Sequence, residues 1–226
     1  MARVTNHQHE HHDHHHGGHD HDAPRYTGDF DTMAKTWDDD PAKVERARVV
    51  ADLIVGRVGP TPETRVLEYG AGTGLVAQAL ASHVGPITLA DPSAGMREAM
   101  AAKVSAGSLP ADARIWPTTL GVDPTPDERF DLVVTVQVLH HVDDLAPVLA
   151  AFAEVTEPGG HLCICDLEAE DGSFHGDGFG GHHGFHRDEL ASQIEAAGFA
   201  DIAFEHAYDL VKDGHPYPLF LATATR

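Results

Sequence analysis

The chain has 226 residues, of which 42% are hydrophobic, and a formal net charge of −21. This length can bury the core of one enzyme-sized domain, whereas so negative a chain would repel nucleic-acid phosphates, so we expect no nucleic-acid partner. No apolar run approaches the roughly eighteen residues needed to span a membrane, and no signal peptide is visible. We therefore expect a cytoplasmic protein without a membrane partner.

The N-terminal residues differ in composition from the rest of the chain. Histidines alternate there with acidic residues and almost nothing is apolar, so we predict a disordered tail over 1–24 and a single domain over 25–226. Neutral imidazoles beside carboxylates are good ligands for zinc, nickel, copper or cobalt. A natural metal-binding tail and an artificial purification tag both fit. The candidate ligands are His7, His9, His11, His12, His14, His15, His16, His19 and His21.

The first helix of the domain is predicted to begin after Asp40. Asp40 suits the N-cap and Pro41 the first turn, and apolar residues then recur at helical spacing as far as Val58.

A glycine-rich segment follows, VLEYGAGTG, from Val66 to Gly74. An apolar run, an acidic residue and alternating glycines predict a strand, a tight turn and a helix that opens at about Leu75. Glycine lets the backbone pass close to a ligand and adopt positive φ. Because Gly72, Gly74 and Ala77 also fit the dinucleotide-binding pattern, this motif alone leaves methyl transfer, hydride transfer and a structural turn open.

Strands and helices then alternate along the chain. Strands are predicted near 65–69, 86–90, 113–118, 130–136 and 160–166, and helices near 74–83, 93–104, 143–156 and 187–197. The apolar stretches near 200–210 and 218–225 have no helix between them and should pair as a hairpin. We thus predict an α/β fold, a Rossmann-like doubly wound sheet of seven strands that is mostly parallel, with a C-terminal antiparallel hairpin strand.

Asp91, at the end of the second strand, is the acidic residue best placed for a ribose. A carboxylate there can accept hydrogen bonds from two vicinal hydroxyls. The alternative is a helix N-cap before Pro92.

Four segments in order resemble the motif series of class I S-adenosylmethionine-dependent methyltransferases: ETRVLEYGAGTGLVAQAL, ITLADPSAGMREAMAAK, RFDLVVTVQVLHHVDD and EPGGHLCICDL. The resemblance covers roughly Phe30 to the C-terminus. It implies S-adenosyl-L-methionine as cofactor and S-adenosyl-L-homocysteine as product. The implied cofactor-binding residues are Trp37, Glu68, Gly70, Ala71, Gly72, Gly74, Asp91, Pro92, Met96, Thr119, Leu120 and Gln137.

The end of the third strand departs from the pattern of the family. Many relatives carry an aspartate at the end of the third strand, where this chain reads IWPTTLGVD, so a threonine or a backbone carbonyl would have to replace it.

Similar methyltransferases also build a lid from the segment before the first domain helix. We therefore expect a lid and helix segment over 25–58, in which Phe30 and Trp37 close over the ligands or, for Trp37, simply anchor the helix.

The acceptor should lie beyond the carboxyl ends of the parallel strands. His140 and His141 follow the fourth strand and are candidate general bases, with His140 preferred; capping and packing is the alternative for His141. The loop after the fifth strand contributes candidate substrate-binding residues, although a solvated flexible loop is the alternative. They are Asp166, His175, His182 and His183. A divalent metal ion is a further candidate in this loop.

We expect methyl transfer to an O, N or S atom of a small molecule, by a monomer or homodimer. The alternatives are a metal-binding or metal-responsive protein on a methyltransferase fold and, less favoured, an NAD(P)-dependent oxidoreductase. The reversed last strand is typical of the methyltransferase family rather than of dehydrogenases, which disfavours the oxidoreductase.

Overall fold

The computed structural model describes residues 27–226. Six α-helices and seven β-strands alternate over this part of the chain. The helices are α1 Thr27–Met33, α2 Pro41–Val58, α3 Leu75–Leu80, α4 Ala94–Ala106, α5 Leu145–Val155 and α6 Arg187–Ala196. The strands are β1 Val66–Tyr69, β2 Ile87–Ala90, β3 Arg114–Trp116, β4 Phe130–Val136, β5 Thr156–Leu167, β6 Ala200–Lys212 and β7 His215–Thr225. Two 3-10 helices lie at Ala34–Asp39 and Leu139–His141.

The seven strands form one sheet in the order β3-β2-β1-β4-β5-β7-β6. Strands β1 to β5 pair in parallel, whereas β7 runs antiparallel to both β5 and β6. The predicted Rossmann-like sheet with a reversed last strand is confirmed. Because the carboxyl ends of the parallel strands meet at one edge, the segments after β1, β2, β4 and β5 converge there.

Both faces of the sheet are covered, as alternation along the buried strands requires. Val66 of β1 and Val134 of β4 lie in a hydrophobic cluster with α2 and α3. Leu67 and Val133, their neighbours along the strands, point the other way and pack against α5 and α6. Among residues 27–226, no helix is both long and apolar enough to cross a membrane.

The ends of several elements differ from the predicted ones. The third strand stops at Trp116 because Pro117 cannot donate a ladder hydrogen bond. The fifth strand begins at Thr156, which pairs with Phe130 beyond a shift in register. In contrast, α2 runs as predicted, and its N-cap Asp40 accepts a 2.9 Å hydrogen bond from the Ala42 N–H.

Candidate functional site

The glycine turn lies at the carboxyl end of β1. Gly70, Gly72 and Gly74 all have positive φ, at 66°, 56° and 78°. A Cβ on Gly70 would lie 2.3 Å from Val138 Cγ2, so only glycine fits there, whereas the nearest atom to a Cβ on Gly72 would be Met96 Sδ at 3.9 Å. The turn is therefore packed against the protein at Gly70 and open at Gly72.

Asp91 fixes the turn from below. Its carboxylate accepts hydrogen bonds from the N–H groups of Gly72 at 2.8 Å and Ser93 at 2.9 Å, and it is only 7% exposed. Burial raises the pKa of Asp91. The N-cap of α4 is Ser93, which accepts from the Met96 N–H, so Asp91 is not that cap. Each carboxylate oxygen can accept a second hydrogen bond, which leaves capacity for a diol.

Glu68 lies inside the protein rather than on the turn surface. It is 3% exposed, and its Oε2 accepts a 2.8 Å hydrogen bond from the Ala77 N–H in the first turn of α3. Burial raises the pKa of Glu68 to about 8. Glu68 thus ties β1 to α3 next to the turn, and the cofactor contact that the resemblance implies stays a prediction.

Substituting Glu68 with glutamine should flatten the pH dependence of stability. Folding raises the pKa of Glu68 from 4.5 to about 8. Protonated Glu68 therefore stabilises the folded protein fully below pH 4.5, and this stabilisation is lost as the pH rises to about 8. Between these two pH values, the free energy of unfolding of the wild type should fall by about 1.4 kcal/mol per pH unit because of this group. Glutamine does not titrate, but its carbonyl oxygen can still accept from Ala77.

Urea unfolding at a series of pH values measures this effect. Glu98→Gln, an exposed acid on α4, is the matched control and should leave the slope unchanged. If the unfolding free energy of Glu68→Gln depended on pH as steeply as that of the wild type, the raised pKa of Glu68 would be contradicted.

The other proposed cofactor residues occupy different environments. Met96 is buried at the start of α4, and Pro92 is exposed. Leu120 is buried in the hydrophobic cluster on the α5 side of the sheet. Ala71 donates a backbone hydrogen bond to the carbonyl of Ala90, which holds the turn against β2.

Hydrogen bonds hold the backbone that follows β3 and β4. Asp123 accepts a 2.7 Å hydrogen bond from the Thr119 N–H, so a carboxylate lies in the loop that follows the third strand. Gln137 has a φ of 55° and donates its N–H to the carbonyl of Cys165 at 2.7 Å. Positive φ outside glycine is a strained conformation of the kind found at functional sites.

Residues 27–39 cross the glycine turn and the start of α4. Asp31 accepts from the Gly95 N–H at 2.9 Å and also from the Ser93 hydroxyl, while Asp38 accepts from the Thr73 hydroxyl. These contacts join positions far apart in the chain, and no local signal in the sequence indicated Asp31 or Asp38. They tie the segment to the glycine turn and to the start of α4, and its role as a lid stays a prediction.

The two aromatic residues of this segment have different neighbours. The Phe30 ring lies 5.6 Å from the His141 ring, edge to face, and 6.1 Å from the Trp37 ring. Trp37 is covered by the Lys43 ammonium, 3.9 Å from the ring centroid. Phe30 therefore connects this segment to the histidines after β4.

His140 and Asp166 form a buried pair at the same edge of the sheet. His140 Nδ1 lies 2.6 Å from Asp166 Oδ1, and the two residues are 2% and 0% exposed. The other carboxylate oxygen accepts from the Leu139 N–H at 3.0 Å. Because an ionised carboxylate only accepts, neutral His140 carries its proton on Nδ1 and presents Nε2 as an acceptor.

Asp166 is enclosed by its neighbours. Its carboxylate is completely buried and is bound by His140, the Leu139 N–H and the Leu167 N–H. Asp166 therefore orients His140, and its contact with the acceptor stays a prediction.

Within residues 27–226, His140, His141 and His175 form the group suited to holding a metal ion: one ligand atom from each lies within 4.8 Å of the others. Burial and the neighbouring His140 lower the pKa of His141 to about 3 and that of His175 to about 4. Both rings are therefore neutral at pH 7. A general base works best with a pKa near the operating pH, so His141 is poorly suited to the role predicted for it.

The other two loop histidines stand beside this group. The His182 N–H donates to the His140 carbonyl at 2.8 Å, and its ring lies near Phe185. His183 Nδ1 is 3.4 Å from a Glu170 carboxylate oxygen and lines an open cleft of about 400 Å³ within the loop. The predicted tail ligands, His7 to His21, lie outside the described residues.

Comparison with known proteins agrees with this fold. The profile of a family described as a methyltransferase domain matches residues 42–206. An uncharacterized methyltransferase of Schizosaccharomyces pombe is 28% identical over 177 residues, covering 76% of this chain and 55% of that protein. A ubiquinone biosynthesis O-methyltransferase of Bradyrhizobium is 32% identical over 110 residues, covering 49% and 42% respectively.

Among solved structures, a Haemonchus contortus phosphoethanolamine N-methyltransferase 2 superposes with a TM-score of 0.66 at 15% identity, over 78% of this chain and 52% of that one. It is bound to phosphomonomethylethanolamine and S-adenosylhomocysteine. At that identity the likeness shows the fold alone. The chain spans about half the length of the curated relatives described above. Because the family profile covers most of the chain, this protein belongs to the class I S-adenosylmethionine-dependent methyltransferases, in the family described as a methyltransferase domain.

Proposed function

We propose that this protein transfers the methyl group of S-adenosylmethionine to an oxygen atom of a small molecule and releases S-adenosylhomocysteine. The observation that carries the proposal is the glycine turn, open at Gly72 and backed by the fixed carboxylate of Asp91, in a sheet whose last strand is reversed. The Bradyrhizobium relative, named as an O-methyltransferase, supports oxygen as the acceptor atom. All seven strands of residues 27–226 belong to one sheet, with no separate substrate domain in that part of the chain, which suits a compact acceptor.

The chain's own residues would bind, shield and orient the reactants. The bound cofactor supplies an activated methyl group on its sulfonium sulfur, so the protein mainly positions an acceptor and excludes water. Asp91 would accept hydrogen bonds from the ribose hydroxyls with the lone pairs that the Gly72 and Ser93 N–H groups leave free. The lid contacts of Asp31 and Asp38 would hold 27–39 over the ligand.

An alcohol or phenol acceptor must also lose its proton. His140, His141 and His175 converge at the edge where the acceptor would lie. Of the three, His140 is the one suited to act directly as a base, because Asp166 holds its Nδ1 and can stabilise the imidazolium that forms.

Calorimetric titration of the full-length protein with S-adenosylmethionine, and in parallel with NADH, tests the proposal. We expect binding of the sulfonium cofactor and none of NADH. Asp91→Ala should weaken that binding by about 1.5–3 kcal/mol, or about 10- to 150-fold, because it removes a charge-assisted hydrogen-bond acceptor.

Asp112→Ala removes an exposed carboxylate and is the matched control. An affinity unchanged by Asp91→Ala would contradict the role of Asp91, and binding of NADH alone would favour the oxidoreductase. A protein that binds neither ligand would favour the second candidate, a metal-responsive protein on this fold, which the group of three histidines supports.

A further inference from the structure

Three imidazoles come together from two segments of the chain. His140 and His141 belong to the 3-10 helix after β4, and His175 comes from the loop after β5. The ring centroids lie 4.1 Å apart for His140 and His141, 5.1 Å for His140 and His175, and 5.2 Å for His141 and His175. One nitrogen atom of each ring lies within 4.8 Å of a nitrogen atom of each of the other two.

Asp166 gives His140 the orientation of a metal ligand. Metal-bound histidines usually donate their second N–H to a carboxylate, which fixes the tautomer and makes the other nitrogen more basic. Asp166 accepts from His140 Nδ1 at 2.6 Å, and both groups are buried. His140 Nε2 is thus the nitrogen left for coordination.

His175 contributes an independent sign of a missing partner. Its Nε2 is buried and makes no hydrogen bond to any described residue. The ring stacks on Phe179 with 3.8 Å between centroids and 15° between planes. A metal binds an imidazole nitrogen in the ring plane, so stacking on the ring face leaves that nitrogen uncovered.

The three ligand atoms are farther apart than they would be around a bound metal ion. A zinc ion bound at 2.0–2.1 Å holds tetrahedral nitrogen ligands about 3.3 Å apart, whereas the three atoms here lie within 4.8 Å of one another. His175 can make up the difference because it lies between Gly172 and Gly176, both at positive φ.

We propose that His140, His141 and His175 bind a divalent transition metal ion, with zinc the best match, and that the acceptor oxygen occupies a remaining position on the metal. Three histidines with an open fourth position are the ligand set of catalytic rather than structural zinc sites. Imidazole ligands also disfavour magnesium and calcium, which prefer oxygen.

The ion changes how the acceptor loses its proton, and this part rests on the proposed methyl transfer to oxygen. Coordination lowers the pKa of a bound hydroxyl, so its proton passes to solvent water while the ion offsets the negative charge left on oxygen. His140 is then a ligand, and no imidazole has to accept the proton.

The test must separate this site from the histidine-rich N-terminus. We would use the full-length chain in which the tail histidines His7 to His21 are replaced by glutamine, stripped of metal with a chelator and titrated calorimetrically with zinc chloride. One equivalent of zinc should bind. His175→Ala should weaken zinc binding more than about 100-fold, since changes to the groups around ligands already cost about 10- to 100-fold.

Two further variants make the result decisive. His141→Ala should reproduce the loss, whereas His206→Ala, an exposed histidine on β6, should keep full affinity. Cobalt in place of zinc should give the visible absorption of a tetrahedral site, which His175→Ala abolishes. Retention of the zinc equivalent in both the His175 and His141 variants would overturn the proposal.

Cofactor titration of the same proteins distinguishes this proposal from the proposed function. Loss of zinc binding with S-adenosylmethionine binding retained in His175→Ala would support the metal site. Zinc binding by a protein that fails to bind S-adenosylmethionine would keep the ion site and refute methyl transfer, and with it the acceptor role of the ion. Cofactor binding without any zinc equivalent would overturn the metal site and return His140 to the role of base.

Discussion

Replacing Asp166 with asparagine is expected to destabilise the protein by about 1–3 kcal/mol, the usual cost of leaving a buried hydrogen-bonding group unsatisfied. Both carboxylate oxygens of Asp166 are acceptors. Oδ2 accepts from the Leu139 N–H, and Oδ1 accepts from the Leu167 N–H and lies against His140 Nδ1. An asparagine has one carbonyl oxygen, so its NH₂ group must face a donor on one side or the other.

Neither orientation of the amide satisfies the site. If the NH₂ group replaces Oδ2, it opposes the Leu139 N–H. If it replaces Oδ1, His140 can switch tautomer and accept at Nδ1, but the Leu167 N–H still faces the NH₂ group, and the proton moves to His140 Nε2. In that tautomer, His140 Nε2 can neither bind a metal ion nor accept a proton.

Urea unfolding and zinc titration of Asp166→Asn measure the two consequences. Zinc affinity should fall by about 10- to 100-fold, as for other changes around a metal ligand. Asp143→Asn is the matched control, because Asp143 is an exposed carboxylate in the loop that follows the 3-10 helix. If Asp166→Asn were as stable as this control, Asp166 could not be bound as the structure places it.

The fold was predictable because local signals and the global arrangement agree. Pro41 and Asp40 mark the start of α2, and the positive φ at Gly70, Gly72 and Gly74 follows from the spacing of the glycines. The lack of a helix between the last two apolar stretches predicted the reversed strand. These signals lie within a few residues of the structure they determine.

The contacts within the site were less predictable, because they depend on how distant segments meet. Asp166 ends a strand as predicted, but its role depends on the His140 ring that covers it. Similarly, the sequence offered His175, His182 and His183 on equal terms. The path of a glycine-rich loop decides which of them reaches His140, and that path is set by several positive-φ residues whose combined direction no local pattern reveals.

The glycine turn and the histidine group should also be coupled through Val138. In Gly70→Ala the new Cβ would lie 2.3 Å from Val138 Cγ2, and alanine would have to adopt a φ of 66°. The side chain of valine is stiff and short, so it cannot move aside as a flexible side chain would. We expect a loss of about 2–4 kcal/mol, from left-handed backbone strain plus overpacking.

A matched glycine separates these two costs. Gly107 has a φ of 77°, but a Cβ there would meet no atom within 4 Å, so Gly107→Ala in urea unfolding should show only the backbone strain of about 1–2 kcal/mol. Adding Val138→Ala to Gly70→Ala should recover the excess. Equal costs for the two glycine substitutions would show that Val138 does not press on the turn. A recovered excess would show that it does, and since Val138 directly precedes the Leu139–His141 helix, the pressure of a Cβ on Gly70 would then move the histidines as well as the turn.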